Sequence, residues 1–336
     1  MKLLIFNRKM KFFIVFVVVI FIFFSIQIYQ GQMASAEMVM GGRFYIQAIE
    51  SESENEQKSI TNDKIKIDYE KYFRPSDLPI LNDKNLNTII HNNYEKEPSE
   101  IILPAGLLET PEDAIINYFS VLREAANYVN GKGAGCGTLG QSKLPYPIAY
   151  NFLSSSYKES LTFNQYLKTF ENILHINLIK LKEVPVKEEG SKYKRYFVEM
   201  ETIEGSEKDV AYFAYYYGFI NVIKELNQYR ISDLEFYGEN YLCAPYHGWN
   251  YDAESVVGIK YGGWCSLVKE MYPVQQNGFI KRIYFKGTDN NDYLIEFFQL
   301  TNDTDIEIAQ YMKNENGDWK LIYLNPEKCL EKKQLP

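Results

Sequence analysis

The sequence predicts an α+β protein in which helices pack on antiparallel sheets. Apolar residues recur at helical spacing from Thr110 to Phe170, whereas apolar and polar residues alternate from His175 to Phe236. A second set of alternating runs follows between Phe279 and Leu324. Helices followed by runs of strands, rather than a regular strand–helix alternation, indicate α+β architecture.

Length and composition favour two globular domains and disfavour nucleic-acid binding. The chain has 336 residues, more than one domain usually holds, and its 28 Tyr and 21 Phe suit pleated sheets. The net charge is −8, from 36 basic and 44 acidic residues. Residues 1–36 carry four basic and no acidic side chains, so the rest of the chain has a net charge of −12. Such an acidic surface repels polyanions.

The amino-terminal residues have the pattern of an export signal. A basic segment ends at Lys11, an unbroken apolar run covers Phe12 to Phe24, and Ala34-Ser35-Ala36 is a small-residue cleavage pattern. We therefore expect residues 1–36 to be a signal peptide or an uncleaved anchor. In the second case residues 12–28 would be the only part of the chain in a membrane.

An exported chain with an even number of cysteines is expected to form disulfides. The four cysteines are Cys136, Cys243, Cys265 and Cys329. The favoured pairing is Cys136–Cys243 with Cys265–Cys329, because each bridge would then lie inside one domain. Cys243–Cys265 is the local alternative.

Residues 37–109 are predicted to be a linker or arm, ordered only where apolar side chains dock. Ser51 to Lys58 is almost entirely polar, and prolines punctuate the rest. Residues 110–240 and 241–336 are the predicted domains, separated near a junction rich in Gly, Pro and Asn.

In the first predicted domain, Thr110 is a good N-cap and Pro111 suits the first turn of a helix. The predicted helices are 111–129, 147–157 and one that starts after Thr162. The predicted strands are 176–186, 193–203, 209–226 and 229–236. Gly218 is expected to mark a bend or bulge in the third of these strands.

The second predicted domain repeats this order on a smaller scale. A helix is expected at 253–272, although Gly262 and Gly263 interrupt it. The strands expected after it are 279–286, 293–300, 305–313 and 318–324.

Three helices followed by a long antiparallel sheet, ending in the strand that begins Tyr229-Arg230-Ile231, resemble the nuclear transport factor 2-like superfamily. The resemblance covers about 110–238, and 253–324 as a shorter relative. It implies a curved sheet and tandem cystatin-like cones. That superfamily includes ketosteroid-isomerase-like enzymes, binding modules and tandem extracytoplasmic domains of envelope assemblies. No catalytic Asp–Tyr pair matches residue by residue, so no catalytic residue is carried over.

Motifs for catalysis, metal binding and cofactor binding are weak. The Gly-rich stretch 131–138 follows a predicted helix and lacks the spacing of a phosphate-binding loop. Cys243 and His247 lie four residues apart, but neither a nucleophile–base pair nor a zinc-ligand set is compact here. Residues 289–292 lack the length of a calcium-binding loop and suit a hairpin turn. We expect no catalytic residues, no metal and no cofactor.

Two aromatic groups are the candidate binding residues. One would line the interior of the first cone, beside Met200, and consists of Tyr196, Phe213, Tyr215 and Tyr217. The other could form a platform at the domain junction and consists of His247, Trp249 and Tyr251. The alternatives are a filled core for the first group and a packed interdomain hinge for the second.

Taken together, the sequence predicts an exported, non-enzymatic binding or assembly module of the cell envelope. We expect a protein partner, or self-association through the sheet of residues 253–324. The alternative is a small-molecule-binding or isomerase-like enzyme that uses a pocket in the first domain. That alternative requires an open interior with a carboxylate near a tyrosine hydroxyl.

Overall fold

The predicted mixture of helices and sheets is confirmed: the computed structural model contains two sheets with helices packed beside them. It describes residues 37–45, 75–129, 131–132, 140–186, 190–208, 210–239 and 248–334. The described residues from Val39 onward belong to one compact unit. Residues 1–36, Cys136, Cys243 and His247 lie outside the described residues. None of the helices in the described ranges has the length and apolar character that crossing a bilayer requires.

The first sheet is a long antiparallel meander with two short strands added at one edge. Its strands are β1 (Met38–Val39), β2 (Gly42–Tyr45), β3 (Ile173–Val184), β4 (Tyr193–Glu204), β5 (Tyr212–Glu225) and β6 (Gln228–Gly238). The order is β1-β2-β6-β5-β4-β3, and β2 runs parallel to β6. Part of the predicted arm therefore belongs to the sheet.

The helices of this first lobe are short, and their limits follow local capping. They are α1 (Asn87–Asn92), α2 (Pro111–Arg123), α3 (Tyr146–Tyr150), α4 (Ser155–Ser160) and α5 (Phe163–Lys168). The Thr110 hydroxyl accepts from the Asp113 amide at 3.0 Å, and Thr162 forms a capping box with Gln165.

The helix predicted at 147–157 is divided in two. The amide of Ser154 donates to the Ile231 carbonyl of β6 at 2.7 Å, so the chain leaves the helix there to contact the sheet. The Ser154 hydroxyl then caps α4 by accepting from the Tyr157 amide.

Gly218 is predicted to mark a bend or a bulge, and the register shows no bulge at this residue. The bulge between β5 and β6 lies at Asn221 and Val222 instead. At Gly218 an added Cβ would lie 2.0 Å from the Glu235 carbonyl oxygen, so this glycine permits the close approach of two strands.

The second lobe begins with α6 (Ala253–Val256), which continues as a π-helix (Val257–Trp264). The amide of Cys265 donates to the Lys260 carbonyl, the five-residue step of a π-helix. The helix predicted at 253–272 therefore ends shortly after the paired glycines, Gly262 and Gly263. Glycine loses more conformational freedom in a helix than other residues, so this pair destabilises a longer helix.

Six strands and a final helix complete the second lobe. They are β7 (Val268–Met271), β8 (Gln275–Asn277), β9 (Ile280–Gly287), β10 (Asp292–Gln299), β11 (Asp305–Lys313), β12 (Trp319–Ile322) and α7 (Pro326–Gln334). The sheet order is β12-β11-β10-β9-β7, with β8 also paired to β9, and every pairing is antiparallel.

The first sheet has two different faces. Tyr196, Ile220 and Leu234 are directly opposite one another on neighbouring strands, and they pack under the helices on what we call the helix face. Glu199, Tyr217 and Tyr237 are likewise opposite one another, but on the other side, which we call the cleft face.

The second lobe packs on the cleft face through an apolar cluster and a polar clasp. The cluster consists of Val184, Phe197, Tyr217, Phe298 and Leu300. In the clasp, buried Lys180 and Glu199 form an ion pair at 2.6 Å. The Thr301 amide and hydroxyl donate to Glu199 at 2.8 and 2.5 Å, and Lys180 donates to the Gln299 carbonyl at 2.6 Å. Both lobes therefore contribute to one polar centre.

The predicted bridge between Cys265 and Cys329 is confirmed. Their sulfur atoms are bonded, and the bridge joins the end of the π-helix to α7.

Candidate functional site

A cleft of about 830 Å³ lies between the cleft face of the first sheet and the β11–β12 side of the second lobe. Its apolar walls include Val184, Phe219, Ile308, Leu321 and Ile322. The loop Leu324–Glu327, just before and within the start of α7, forms a further wall. A cleft of this volume, with mixed apolar and polar walls, is typical of sites for small molecules or short peptides.

Arg195 lines the cleft but is already paired. Its guanidinium contacts Glu235 at 2.6 Å and lies 4.5 Å from the centre of the Phe219 ring. Burial alone would raise the pKa of Glu235, but Arg195 and Arg43 outweigh burial, and the net pKa lies below its usual value. Arg195 is therefore an oriented cation whose charge is largely balanced.

Lys260 is different because no described carboxylate lies within 4.0 Å of its ammonium nitrogen. It projects from the half-buried side of the π-helix and lines the cleft. A lysine in a partly desolvated cleft, without a counter-charge among the described residues, can pair with a ligand anion or donate a hydrogen bond to a ligand carbonyl oxygen.

Glu307 stands near Lys260 and is held in place by two donors. Its Oε1 accepts from the Tyr261 hydroxyl at 2.7 Å and from Gln310 Nε2 at 2.8 Å. Burial and the neighbouring Glu307 raise the pKa of Tyr261, which keeps the tyrosine a hydrogen-bond donor. Among the described residues, Glu307 forms no ion pair.

A smaller cavity of about 320 Å³ continues from the cleft, and we call it the side chamber. Lys260 and Glu307 line both cavities, so the two cavities meet at these residues. The rings of Tyr217, Tyr251 and Phe297 form the chamber's aromatic walls.

Asp305 also lines the side chamber, and its carboxylate is 1% exposed. Its Oδ2 accepts from Lys281 at 2.8 Å and from the Ala253 amide at 3.0 Å, whereas its buried Oδ1 has no hydrogen-bond partner among the described residues. Burial raises the pKa of Asp305, although Lys281 opposes the shift. Because Oδ1 has no contact with solvent, the Asp305 carboxylate forms part of the chamber wall rather than an acceptor that a ligand can reach.

The structure brings two of the predicted binding residues together in the side chamber. Tyr217 comes from the predicted interior group and Tyr251 from the predicted platform. Phe213 and Tyr215 share the strand face of Tyr217, and the Tyr215 hydroxyl donates to buried Glu201 at 3.1 Å. Tyr196 lies on the helix face, apart from that group.

Trp249 packs rather than forming a platform. Its ring meets the Trp264 ring edge-on, with centroids 5.7 Å apart, and contacts the core of the second lobe. His247, the third member of that predicted group, lies outside the described residues.

The helix face is filled with aromatic side chains where an interior pocket would be needed. Fully buried rings there include Tyr118, Phe119, Phe152, Tyr166 and Phe170. The Tyr196 hydroxyl donates to Glu112 at 2.7 Å, but burial and this carboxylate raise the pKa of Tyr196. That environment makes Tyr196 a weak acid, which is the opposite of what proton transfer from tyrosine requires.

Lys260, Asp305 and Glu307 were missed by reasoning from the sequence. Asp305 and Glu307 are two apart at the start of a predicted strand, so their placement on one side could have been anticipated. Nothing local in the sequence links them to Lys260 or to Tyr217.

No group of three or more His, Cys, Asp or Glu side chains in the described part of the chain is arranged to hold a metal ion. Comparison of the whole chain with protein-family models, curated proteins and solved structures finds no match. The site is therefore interpreted from its geometry alone.

Proposed function

We propose that this chain is an exported binding module of the cell envelope and that its ligand occupies the interlobe cleft. The observation that carries this proposal is the cleft itself, about 830 Å³ in volume, lined by Lys260, which has no carboxylate of the described residues within 4.0 Å. The two lobes meet through a buried clasp and an apolar cluster, so the walls of the cleft are held in a fixed arrangement.

Export is supported by the signal pattern in residues 1–36 and by the Cys265–Cys329 disulfide. In this proposal each lobe is a nuclear transport factor 2-like cone with a curved sheet. The meander β3–β6 beside its helices supports that relationship for the first lobe.

The enzyme alternative has weaker support. It requires an open pocket beneath the helices, and aromatic rings occupy that space in the described first lobe. The carboxylate–tyrosine contact of Glu112 and Tyr196 lies beside this packed core rather than in a cavity of the size of the cleft.

A thermal-shift screen of amino acids, short peptides, sugars and fatty acids tests binding in the cleft. A ligand present at about 100 times its Kd stabilises the folded protein by about 2.7 kcal/mol, and therefore raises the Tm. Leu321 is half-buried in the cleft wall, and we expect Leu321→Glu to abolish the shift by placing a charge there.

Ile102→Glu is the matched control, because Ile102 is 88% exposed and does not line the cleft. The proposal is wrong if no class of compound raises the Tm. It is also wrong if the active compounds stabilise the Leu321→Glu and Ile102→Glu variants equally.

A further inference from the structure

The junction of the cleft and the side chamber presents one cation and one anion that do not pair with each other. Lys260 and Glu307 both line the two cavities, yet their charged atoms are more than 4.0 Å apart. Each charge is partly removed from water, so each gains from a ligand group of opposite polarity. A ligand that places a positive donor close to an acceptor oxygen would satisfy both residues at once.

The side chamber favours the positive group. Asp305 and Glu307 lie two residues apart at the start of β11 and both line this chamber. The Asp305 carboxylate is buried and paired with Lys281, whereas Glu307 forms no ion pair among the described residues, so Glu307 is the carboxylate open to a positive group. The rings of Tyr217, Tyr251 and Phe297 add aromatic walls, which attract cations.

The cleft favours an apolar body behind that positive group. Val184, Ile308, Leu321 and Ile322 line it, and Phe219 lies under the Arg195 guanidinium. The free amino terminus of a peptide combines these features, since its ammonium and its first carbonyl oxygen lie only a few bonds apart. An ammonium carries three donors, one of which can reach Glu307.

We propose, on the basis of the binding function argued above, that the site recognises a short apolar peptide by its free amino terminus. The α-ammonium donates to Glu307 within the aromatic walls of the side chamber. The first carbonyl oxygen accepts from Lys260, and the body of the peptide lies along the apolar wall of the cleft toward Arg195.

Equilibrium dialysis of the full-length chain against two peptide libraries tests this assignment. One library contains tripeptides of Ala, Val, Leu and Phe with free amino termini, and the other contains the same peptides N-acetylated. Mass spectrometry measures the bound fraction of each peptide. We expect binding of free-amine peptides to exceed that of their acetylated counterparts by about tenfold or more, the value of one charge-assisted hydrogen bond.

Variants of the junction residues test which side chains cause the preference for free-amine peptides. Glu307→Gln keeps an oxygen for Tyr261 and Gln310, and we expect it to reduce the affinity for free-amine peptides by about tenfold. Lys260→Met should weaken the binding of peptides from both libraries, because the peptides in both carry the first carbonyl group. Glu315→Gln is the matched control, since Glu315 is exposed in the turn after β11 and lines neither cavity.

Three results would overturn the assignment: equal binding of the two libraries, no binding of either, or free-amine binding unchanged in Glu307→Gln. Leu321→Glu separates this failure from failure of the proposed function. If another class of compound still binds and is lost in Leu321→Glu, the cleft is a binding site for a ligand other than a peptide amino terminus.

Discussion

Gly218 lies where the backbone of β6 comes too close to β5 for any side chain. A Cβ at this position would be 2.0 Å from the Glu235 carbonyl oxygen and 2.7 Å from the Phe236 ring. The backbone oxygen cannot move without disturbing the pairing of Gly218 with Phe236. This one residue therefore sets how closely the two central strands of the first sheet approach.

We expect Gly218→Ala to lower the free energy of unfolding by about 2 kcal/mol or more, because the added methyl group forces the two strands apart. Urea unfolding measures the change. Gly258→Ala is the control, since a Cβ at Gly258 would meet no atom within 4 Å. Equal stability of the Gly218→Ala variant and the parent protein would show that the strands separate at little cost.

At the scale of whole elements, local signals in the sequence account for most of the helices and strands. Thr110 and Thr162 begin helices as predicted, because their hydroxyls cap the first turn. The turn between β5 and β6 has positive φ angles at Leu226 and Asn227, as a two-residue hairpin requires, and Asn is a residue that favours this conformation. Features of this kind depend on neighbours in the chain and can be predicted from it.

Features that depend on distant contacts could not be predicted. The parallel pairing of β2 with β6 brings Arg43 to Asp233 at 2.7 Å, across 190 residues of chain. Alternation shows that a strand has two faces, but register decides that Tyr196 lies beneath the helices while Tyr217 faces the second lobe. The cleft also depends on contacts between distant parts of the chain, since the residues that line it come from both lobes.

The disulfide between the π-helix and α7 closes a loop of 64 residues, and it holds the wall formed by Leu324–Glu327 near the cleft. We expect the double variant Cys265→Ala, Cys329→Ala to lose about 2 to 5 kcal/mol of stability. Hydrogen exchange should rise first in α7, because the bridge is a direct link between that helix and the rest of the lobe.

Thiol titration of the same variant, denatured but not reduced, examines the other predicted bridge. If Cys136 and Cys243 are paired, no free thiol will react. Two reactive thiols would contradict that pairing, and unchanged exchange in α7 would show that the helix is held by other contacts.

At the scale of the whole molecule, the two lobes are joined by groups that neither lobe satisfies alone. Glu199 of the first sheet accepts from Thr301 of the second lobe, and Lys180 donates to Gln299. Both charged side chains are almost fully buried, at 6% and 0% exposure for Lys180 and Glu199. Separation of the lobes would leave Glu199 without the Thr301 donors and Lys180 without the Gln299 carbonyl, so that only their mutual ion pair would remain.

We expect Glu199→Gln to lower the free energy of unfolding by about 3 to 5 kcal/mol, because Lys180 then remains buried without a counter-charge. Adding Lys180→Met removes that charge, and the double variant should be more stable than Glu199→Gln alone. Urea unfolding at a single pH provides the comparison. A double variant less stable than the single one would mean that Lys180 contributes mainly through its hydrogen bond to Gln299.

The π-helix at Val257–Trp264 has a consequence for how such a site could arise or be lost in evolution. Each residue added to or removed from an α-helix turns everything after it by about 100° about the helix axis, and the turn per residue in a π-helix is somewhat smaller. Insertion or loss of one residue before Lys260 would therefore turn its ammonium away from Glu307 without changing a single side chain of the site. Relatives that differ in length here would keep the lobe and change the ligand.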